Sequence, residues 1–101
     1  MYVSRLSFSV HPGHTHDVEQ ALGKLAKLVE GAGLGQTRIL RTSYASLGAA
    51  DLQFEQEAPT LAELEDGITR ITGQEAFQQW SAGVTPYLLQ SPKRAVLRRV
   101  R

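Results

Sequence analysis

The order of strand-like and helix-like segments constrains the fold of this chain more than any other feature. Alternating apolar and polar residues are typical of a strand with one buried face, and apolar residues every three or four positions are typical of a helix. Assigned in this way, the elements are a strand at Tyr2–Val10, a helix at His14–Ala32, strands at Thr37–Ala45 and Asp51–Glu57, a broken helical region at Thr60–Leu89 and a strand at Lys93–Val100. The order is therefore β-α-β-β-α-β.

This order predicts an α+β fold of the ferredoxin-like type, with a four-stranded antiparallel sheet and helices on one of its faces. The length of 101 residues suits a single domain spanning residues 1–101. Folds of this type carry many unrelated functions, so the function has to be argued from particular side chains.

Composition excludes several classes of function. The chain has no cysteine, which rules out disulfides, thiolate metal sites and cysteine nucleophiles. Its net charge of +1 provides no field that would concentrate nucleic acid or anionic membrane. No apolar run approaches the ~20 residues of a membrane span. The sequence from Met1 shows no signal-peptide pattern, so we expect a cytoplasmic protein.

The basic residues near the end of the chain do not change the expectation of no nucleic-acid partner. RNA-binding domains with this element order stack bases on aromatic side chains of their central strands. Here the third strand carries acidic residues at Asp51, Glu55 and Glu57 instead.

A sheet covered by helices on one side leaves its other face uncovered. The residues assigned to this face from the alternation are Arg5, Ser7, Ser9, Ile39, Arg41, Gln53, Glu55, Leu97 and Arg99. Arg41 is expected to pair with Glu55. Such a face can be solvated, as in many antiparallel sheets, or covered by the same face of a second copy, because two-fold dimers use self-complementary surfaces.

The sequence resembles the dimeric α/β-barrel proteins, which include the antibiotic-biosynthesis-monooxygenase-like and NIPSNAP-like domains. The resemblance rests on the strand that runs into Val10–Gly13 before a long helix, on Leu52–Glu57 followed by Pro59–Glu63, and on Trp80 late in the second helical region. It implies a homodimer in which the two sheets pair to form a barrel. Its active members include cofactor-free oxygenases, haem-degrading enzymes and isomerase-like or lyase-like enzymes acting on small aromatic molecules. No catalytic residue is carried over from it.

Two groups of residues are candidates for binding a ligand. Trp80, Tyr44 and Phe77 are expected to line a pocket between the helices and the sheet, although Phe77 and Trp80 also have the spacing of ordinary core residues. Arg41 and Glu55, together with Arg99, are expected to converge on the uncovered face. There they would hold a polar ligand enclosed by dimerisation or form a hydrated, salt-bridged interface.

The three histidines, His11, His14 and His16, are weak candidates for metal ligands, and we expect no native metal site. Imidazole is a common metal ligand, but residues two apart on a helix point in different directions. No phosphate-binding glycine loop is present, because the glycines at 31, 33 and 35 follow a helix. We therefore expect no cofactor.

Three functions remain open at this point: a cofactor-free oxygenase-like or isomerase-like enzyme, a non-catalytic ligand-binding or regulatory module, and a structural domain. A cavity with convergent titratable groups would favour the enzyme. A dry, filled pocket would favour the module.

Overall fold

The computed structural model describes residues 1–101 and confirms the predicted α+β fold. The elements in chain order are β1 (Tyr2–Phe8), α1 (Thr15–Gly31), β2 (Thr37–Arg41), β3 (Leu52–Ala58), α2 (Leu61–Thr72), α3 (Glu75–Val84), a short 3-10 turn (Thr85–Tyr87) and β4 (Lys93–Arg98). The helical region is thus broken, as its sequence predicts, and the break lies at Gly73 and Gln74.

The four strands form one antiparallel sheet in the order β2-β3-β1-β4. Helix α1 packs beside β2 and α3, and α2 packs over β3 and β1, so the helices form a layer on one side of the sheet. The opposite side is the uncovered face.

The core lies between these two layers. Helix α1 buries Val18, Leu22, Leu25 and Val29, which repeat every three or four residues and therefore form one stripe along the helix. The stripe belongs to the same apolar cluster as Phe8, Leu52 and Phe54 of the sheet. Burial of this stripe supplies most of the stability of α1, because isolated helices of this length are marginal in water.

Two connections fix where the strands begin and end. Gly35 has φ +99°, and a Cβ atom there would overlap the carbonyl oxygen of Glu57, so the turn into β2 requires glycine. Strand β2 ends at Arg41, earlier than predicted, and residues 42–51 form a loop that leads into β3. None of the helices combines the length and apolar character needed to cross a membrane.

Candidate functional site

A small cavity lies between the sheet and helices α1, α2 and α3, and we call it the helix-side cavity. Its volume is about 20 Å³, and most of its walls are apolar, including Leu25, Phe54, Ile71 and Phe77. A space of this size holds roughly one water molecule. The polar residues that line it are Ser4, Gln56, Thr72 and Arg94.

Two of these polar residues are already engaged with the backbone. The side-chain amide of Gln56 donates to the carbonyl of Leu34 at 3.2 Å, and the hydroxyl of Thr72 donates to the carbonyl of Ile68 at 2.9 Å. Both side chains are therefore held in place, and neither is a nucleophile or a base.

Arg94 is the only ionisable residue that lines the cavity. It lies on the edge strand β4, opposite Leu6 of β1, and its guanidinium donates to the hydroxyl of Ser4, which is 2% exposed. Arg94 as a residue is exposed, but partial burial of its guanidinium lowers the pKa of Arg94 below its ordinary value. No carboxylate pairs with it, since the ion pairs of the structure involve other residues.

Trp80 and Phe77 lie together, as their spacing predicts, but only Phe77 lines the cavity. Their rings stack with centroids 5.5 Å apart, and the indole nitrogen of Trp80 donates to the carbonyl of Ala21 at 2.6 Å. The Trp80 ring also meets Phe8 edge-on at 6.4 Å. Trp80 is therefore a half-buried packing residue that fastens α3 to α1 and the sheet.

The prediction that Tyr44 lines the same pocket is wrong. Tyr44 is 98% exposed, in the loop between β2 and β3. The prediction assumed that β2 continues to Ala45, which would have kept Tyr44 in the sheet. Because the strand ends at Arg41, nothing holds the ring of Tyr44 against the helices.

On the uncovered face, Glu55 lies at the centre of a charged network. It sits directly opposite Arg5 of β1 and Arg38 of β2, so the three side chains form a row across three strands. Arg5 donates through Nε at 2.7 Å, and Arg38 donates through Nε and Nη2 at 3.0 and 2.9 Å. Arg38 also donates to Glu57 at 2.6 Å.

The network accounts for the ionisation of Glu55. Its burial, with 3% of the residue exposed, opposes ionisation, but the hydrogen bonds from Arg5 and Arg38 outweigh that effect and lower the pKa of Glu55. The hydrogen bond to Glu55 is the main reason that the pKa of Arg38 is raised. Glu55 and Arg38 are thus held in their charged forms at neutral pH.

The predicted pairing of Arg41 with Glu55 is wrong, as is the placement of Ile39 and Arg41 on the uncovered face. Arg41 lies opposite Leu52, a buried residue of the helix side, and forms an ion pair with Glu19 of α1. Arg38 takes the place expected for Arg41. Successive side chains of a strand point to opposite faces, so the register that sets Arg38 against Glu55 sends Arg41 to the other side.

Arg99 does lie near Glu55, as predicted. Both line an open cleft of about 350 Å³ on the uncovered face, whose other lining residues are Val3, Arg5, Arg38, Glu57, Leu97 and Arg98. The cleft thus combines a charged centre with apolar flanks at Val3 and Leu97.

The three histidines do not come together. No group of three histidine, aspartate or glutamate side chains is placed to hold a metal ion. Instead, Nδ1 of His14 lies 3.0 Å from a carboxylate oxygen of Asp17, and the His14 ring lies against Tyr87 at 5.0 Å. Both His14 and Asp17 are about half exposed.

Two residues of these sites, Arg38 and Arg94, are not among those that the sequence pattern predicted. Arg38 could have been found by testing each register of β2 against the acidic positions of β3. No local signal marks Arg94, because it resembles the neighbouring basic residues of β4 and its partner Ser4 lies 90 positions earlier.

Comparisons with known proteins confirm the resemblance at the level of the fold. No protein-family model matches the chain, and no curated protein matches it. Among solved structures, an uncharacterized NIPSNAP domain protein from Burkholderia xenovorans matches with a TM-score of 0.78 at 11% identity, over 99% of this chain and 95% of its own. A candidate antibiotic biosynthesis monooxygenase from Nitrosomonas europaea matches with a TM-score of 0.75 at 14% identity, over 100% of both chains. A second such candidate, from Bordetella bronchiseptica, matches with a TM-score of 0.69 at 19% identity, over 99% of this chain and 97% of its own.

Proposed function

We propose that this protein binds a small molecule in the helix-side cavity and acts as a homodimer formed through the uncovered face. The observation that carries the binding role is the cavity itself, where apolar walls meet the guanidinium of Arg94. Small-molecule sites combine these two features. No aspartate, glutamate or histidine lines the cavity, which favours binding over acid–base catalysis.

Binding requires the cavity to enlarge, because small-molecule sites usually occupy roughly 300–1,000 Å³. Of the three helices, α3 has the fewest buried residues, so it is the one best suited to move even though Trp80 holds it to α1. Val84 is the only buried residue of α3, and the helix begins just after a break in the helical layer at Gly73. Its side chain Phe77 forms part of the cavity wall, so a shift of α3 opens the cavity.

The emission of Trp80 tests this role, since Trp80 is the only tryptophan and stacks on Phe77. We expect some members of a panel of small aromatic and acyl compounds to change the emission saturably. Ile68→Phe fills the cavity and should abolish the change. Ile39→Phe, the same substitution on β2 outside the cavity lining, should leave it intact. A panel without any saturable response would contradict the binding role.

The composition of the uncovered face supports the homodimer. Val3, Leu40 and Leu97 share this side of the sheet with the network around Glu55. Leu40 and Leu97 are 40% and 39% exposed. A face with both arginines and glutamates can meet a copy of itself with opposite charges in contact. The resemblance to dimeric α/β-barrel proteins implies the same pairing of sheets.

Sedimentation velocity distinguishes a dimer from the 11.1 kDa monomer. Leu97→Glu puts an additional charge on the uncovered face and should dissociate the dimer. Val96→Glu is the matched control, because Val96 precedes it on β4, is 48% exposed and lies on the helix side of the sheet opposite Ser4. A wild-type monomer at micromolar concentration would overturn the homodimer, and equal effects of the two variants would place its interface elsewhere.

A second candidate function is oxygenase-like or isomerase-like catalysis without a cofactor, and one feature favours it. Nδ1 of His14 lies against Asp17, and in the tautomer that donates its Nδ1 proton to this carboxylate the other nitrogen, Nε2, has a lone pair that can accept a proton from a substrate. Removal of a substrate proton is the first step that we propose for both reactions. Dioxygen uptake with a dihydroxynaphthalene measures the oxygenase activity. If this second function is correct, wild-type protein gives a rate of dioxygen uptake at least tenfold above the spontaneous rate. The His14→Gln variant should then give only the spontaneous rate.

A further inference from the structure

We infer that the ligand of the helix-side cavity is an organic anion, a carboxylate with a short apolar tail, whose charge pairs with Arg94. This inference rests on the proposed binding role and adds the chemical class of the ligand. It follows from what surrounds Arg94 compared with the other arginines of the sheet.

Three other arginines of the sheet contact side chains of neighbouring elements, and each of them forms an ion pair with a carboxylate. Arg5 and Arg38 bind Glu55 on the uncovered face, and Arg41 binds Glu19 on the helix side. Arg94 instead donates to the neutral hydroxyl of Ser4. A guanidinium has five N–H donors, so most of the donors of Arg94 are left for a ligand.

The surroundings of Arg94 make a bound anion favourable. No acidic residue lines the cavity, so nothing there competes for the guanidinium or repels an anion. Although Arg94 as a residue is exposed, the partial burial of its guanidinium disfavours the charged form, and a carboxylate would relieve that cost by pairing with it. Arginine also matches the planar geometry of a carboxylate with two parallel hydrogen bonds.

The remaining walls define the rest of the ligand. Beyond the four polar residues Ser4, Gln56, Thr72 and Arg94, the cavity is bounded by apolar side chains such as Leu25, Ile71 and Phe77. These side chains favour an aliphatic or aromatic tail over a second polar group, because a polar group there would lose its hydrogen bonds to water. A simple inorganic anion would leave these walls without a partner.

Hexanoate and 1-hexanol are a suitable pair of probes, since they share a tail of similar length and differ in charge. Binding is measured at pH 7 by the emission of Trp80 and by calorimetry. We expect wild-type protein to bind hexanoate at least tenfold more tightly than hexanol. Arg94→Gln should remove this preference by weakening hexanoate alone, whereas Arg94→Lys, which keeps the charge, should retain part of it. Arg41→Gln is the matched control, because Arg41 also lies on the helix side but outside the cavity lining, and it should change nothing.

The outcomes separate this inference from the proposed binding role. Equal affinity for hexanoate and hexanol would overturn the anion assignment and leave the binding role intact. Binding of neither probe, with no response to the wider panel, would overturn both. An unchanged preference in folded Arg94→Gln would show that the selectivity for anions comes from another cation. If Arg94→Gln does not fold, the wild-type preference and its reduction in Arg94→Lys decide the question.

Discussion

Replacement of Leu25 by alanine should be among the most destabilising substitutions in this protein. Leu25 is 2% exposed in the middle of the α1 stripe and forms part of the wall of the helix-side cavity. The substitution removes three carbon atoms, worth about 2.4 kcal/mol at about 0.8 kcal/mol each. The space left behind adds to the existing void. A residual cavity of roughly 50 Å³ costs a further ~1.2 kcal/mol at about 24 cal/mol per Å³.

The expected loss of unfolding free energy is therefore about 3–4 kcal/mol, a large share of the stability of a small domain. Urea unfolding followed by Trp80 emission and far-ultraviolet circular dichroism measures it, at one fixed protein concentration. The slope with urea should stay unchanged, since nearly the same surface is exposed on unfolding. In a thermal scan, a loss of 3 kcal/mol corresponds to about 12–24 °C for a chain of this size.

Leu47→Ala is the matched control, because Leu47 is fully exposed in the loop between β2 and β3. It should change the unfolding free energy by less than about 0.5 kcal/mol. A Leu25→Ala effect as small as that of the control would refute the reasoning, since it would mean that the α1 stripe does not pack against the sheet.

Two further substitutions probe the polar contacts. Glu55→Gln should lower the unfolding free energy at pH 7 by about 1–2 kcal/mol. We keep this figure small because Arg5 and Arg38 are about half exposed, and solvent weakens their ion pairs with Glu55. The lowered pKa of Glu55 means that its contribution is present above the usual glutamate pKa of about 4.3 and is lost as the pH falls through the lower folded-state value. The difference between wild type and variant should therefore shrink at pH 3 in urea titrations, and an equal difference at both pH values would contradict this. Trp80→Phe removes the hydrogen bond to Ala21 and should lower the unfolding free energy by about 1–2 kcal/mol. Urea unfolding followed by circular dichroism measures this loss. An unchanged unfolding midpoint would show that this contact does not hold α3 in place.

The periodicity of the sequence was sufficient to predict the fold. The alternation in β3 puts Leu52 and Phe54 on one side and Glu55 on the other, and the structure has the same division. The apolar repeat of α1 is equally clear. Patterns of this kind depend on local spacing, which the sequence displays directly.

The faces of β2 could not be predicted in the same way. Each face of this strand carries one arginine and one aliphatic residue: Arg38 with Leu40, and Ile39 with Arg41. The two aliphatic side chains are almost equally exposed, at 39% for Ile39 and 40% for Leu40. Polarity therefore does not distinguish the faces, and the choice depends on pairing with Glu55 of the neighbouring strand.

The candidate site was only partly predictable for a related reason. Phe77 could be assigned from its helical spacing, and Glu55 and Arg99 from alternation along their strands. Arg94 could not be assigned to the site in this way, because its position depends on a contact with Ser4, and the two residues lie on paired strands that are far apart in the chain. The exposure of Tyr44 likewise depends on where β2 ends, and element boundaries are poorly defined by local patterns.

The two proposed sites lie back to back on the same strands. Ser4 and Gln56 line the helix-side cavity, while their neighbours Arg5 and Glu55 form the charged network on the uncovered face. Because adjacent side chains of a strand point to opposite faces, a substitution on one side leaves the other chemically intact. The backbone of β1 and β3 is nevertheless common to both sites, and the pairing of Ser4 with Gln56 follows directly on that of Arg5 with Glu55. Side-chain variants can therefore test the ligand and the dimer separately, whereas a bulge or shift of register in β1 would disturb both at once.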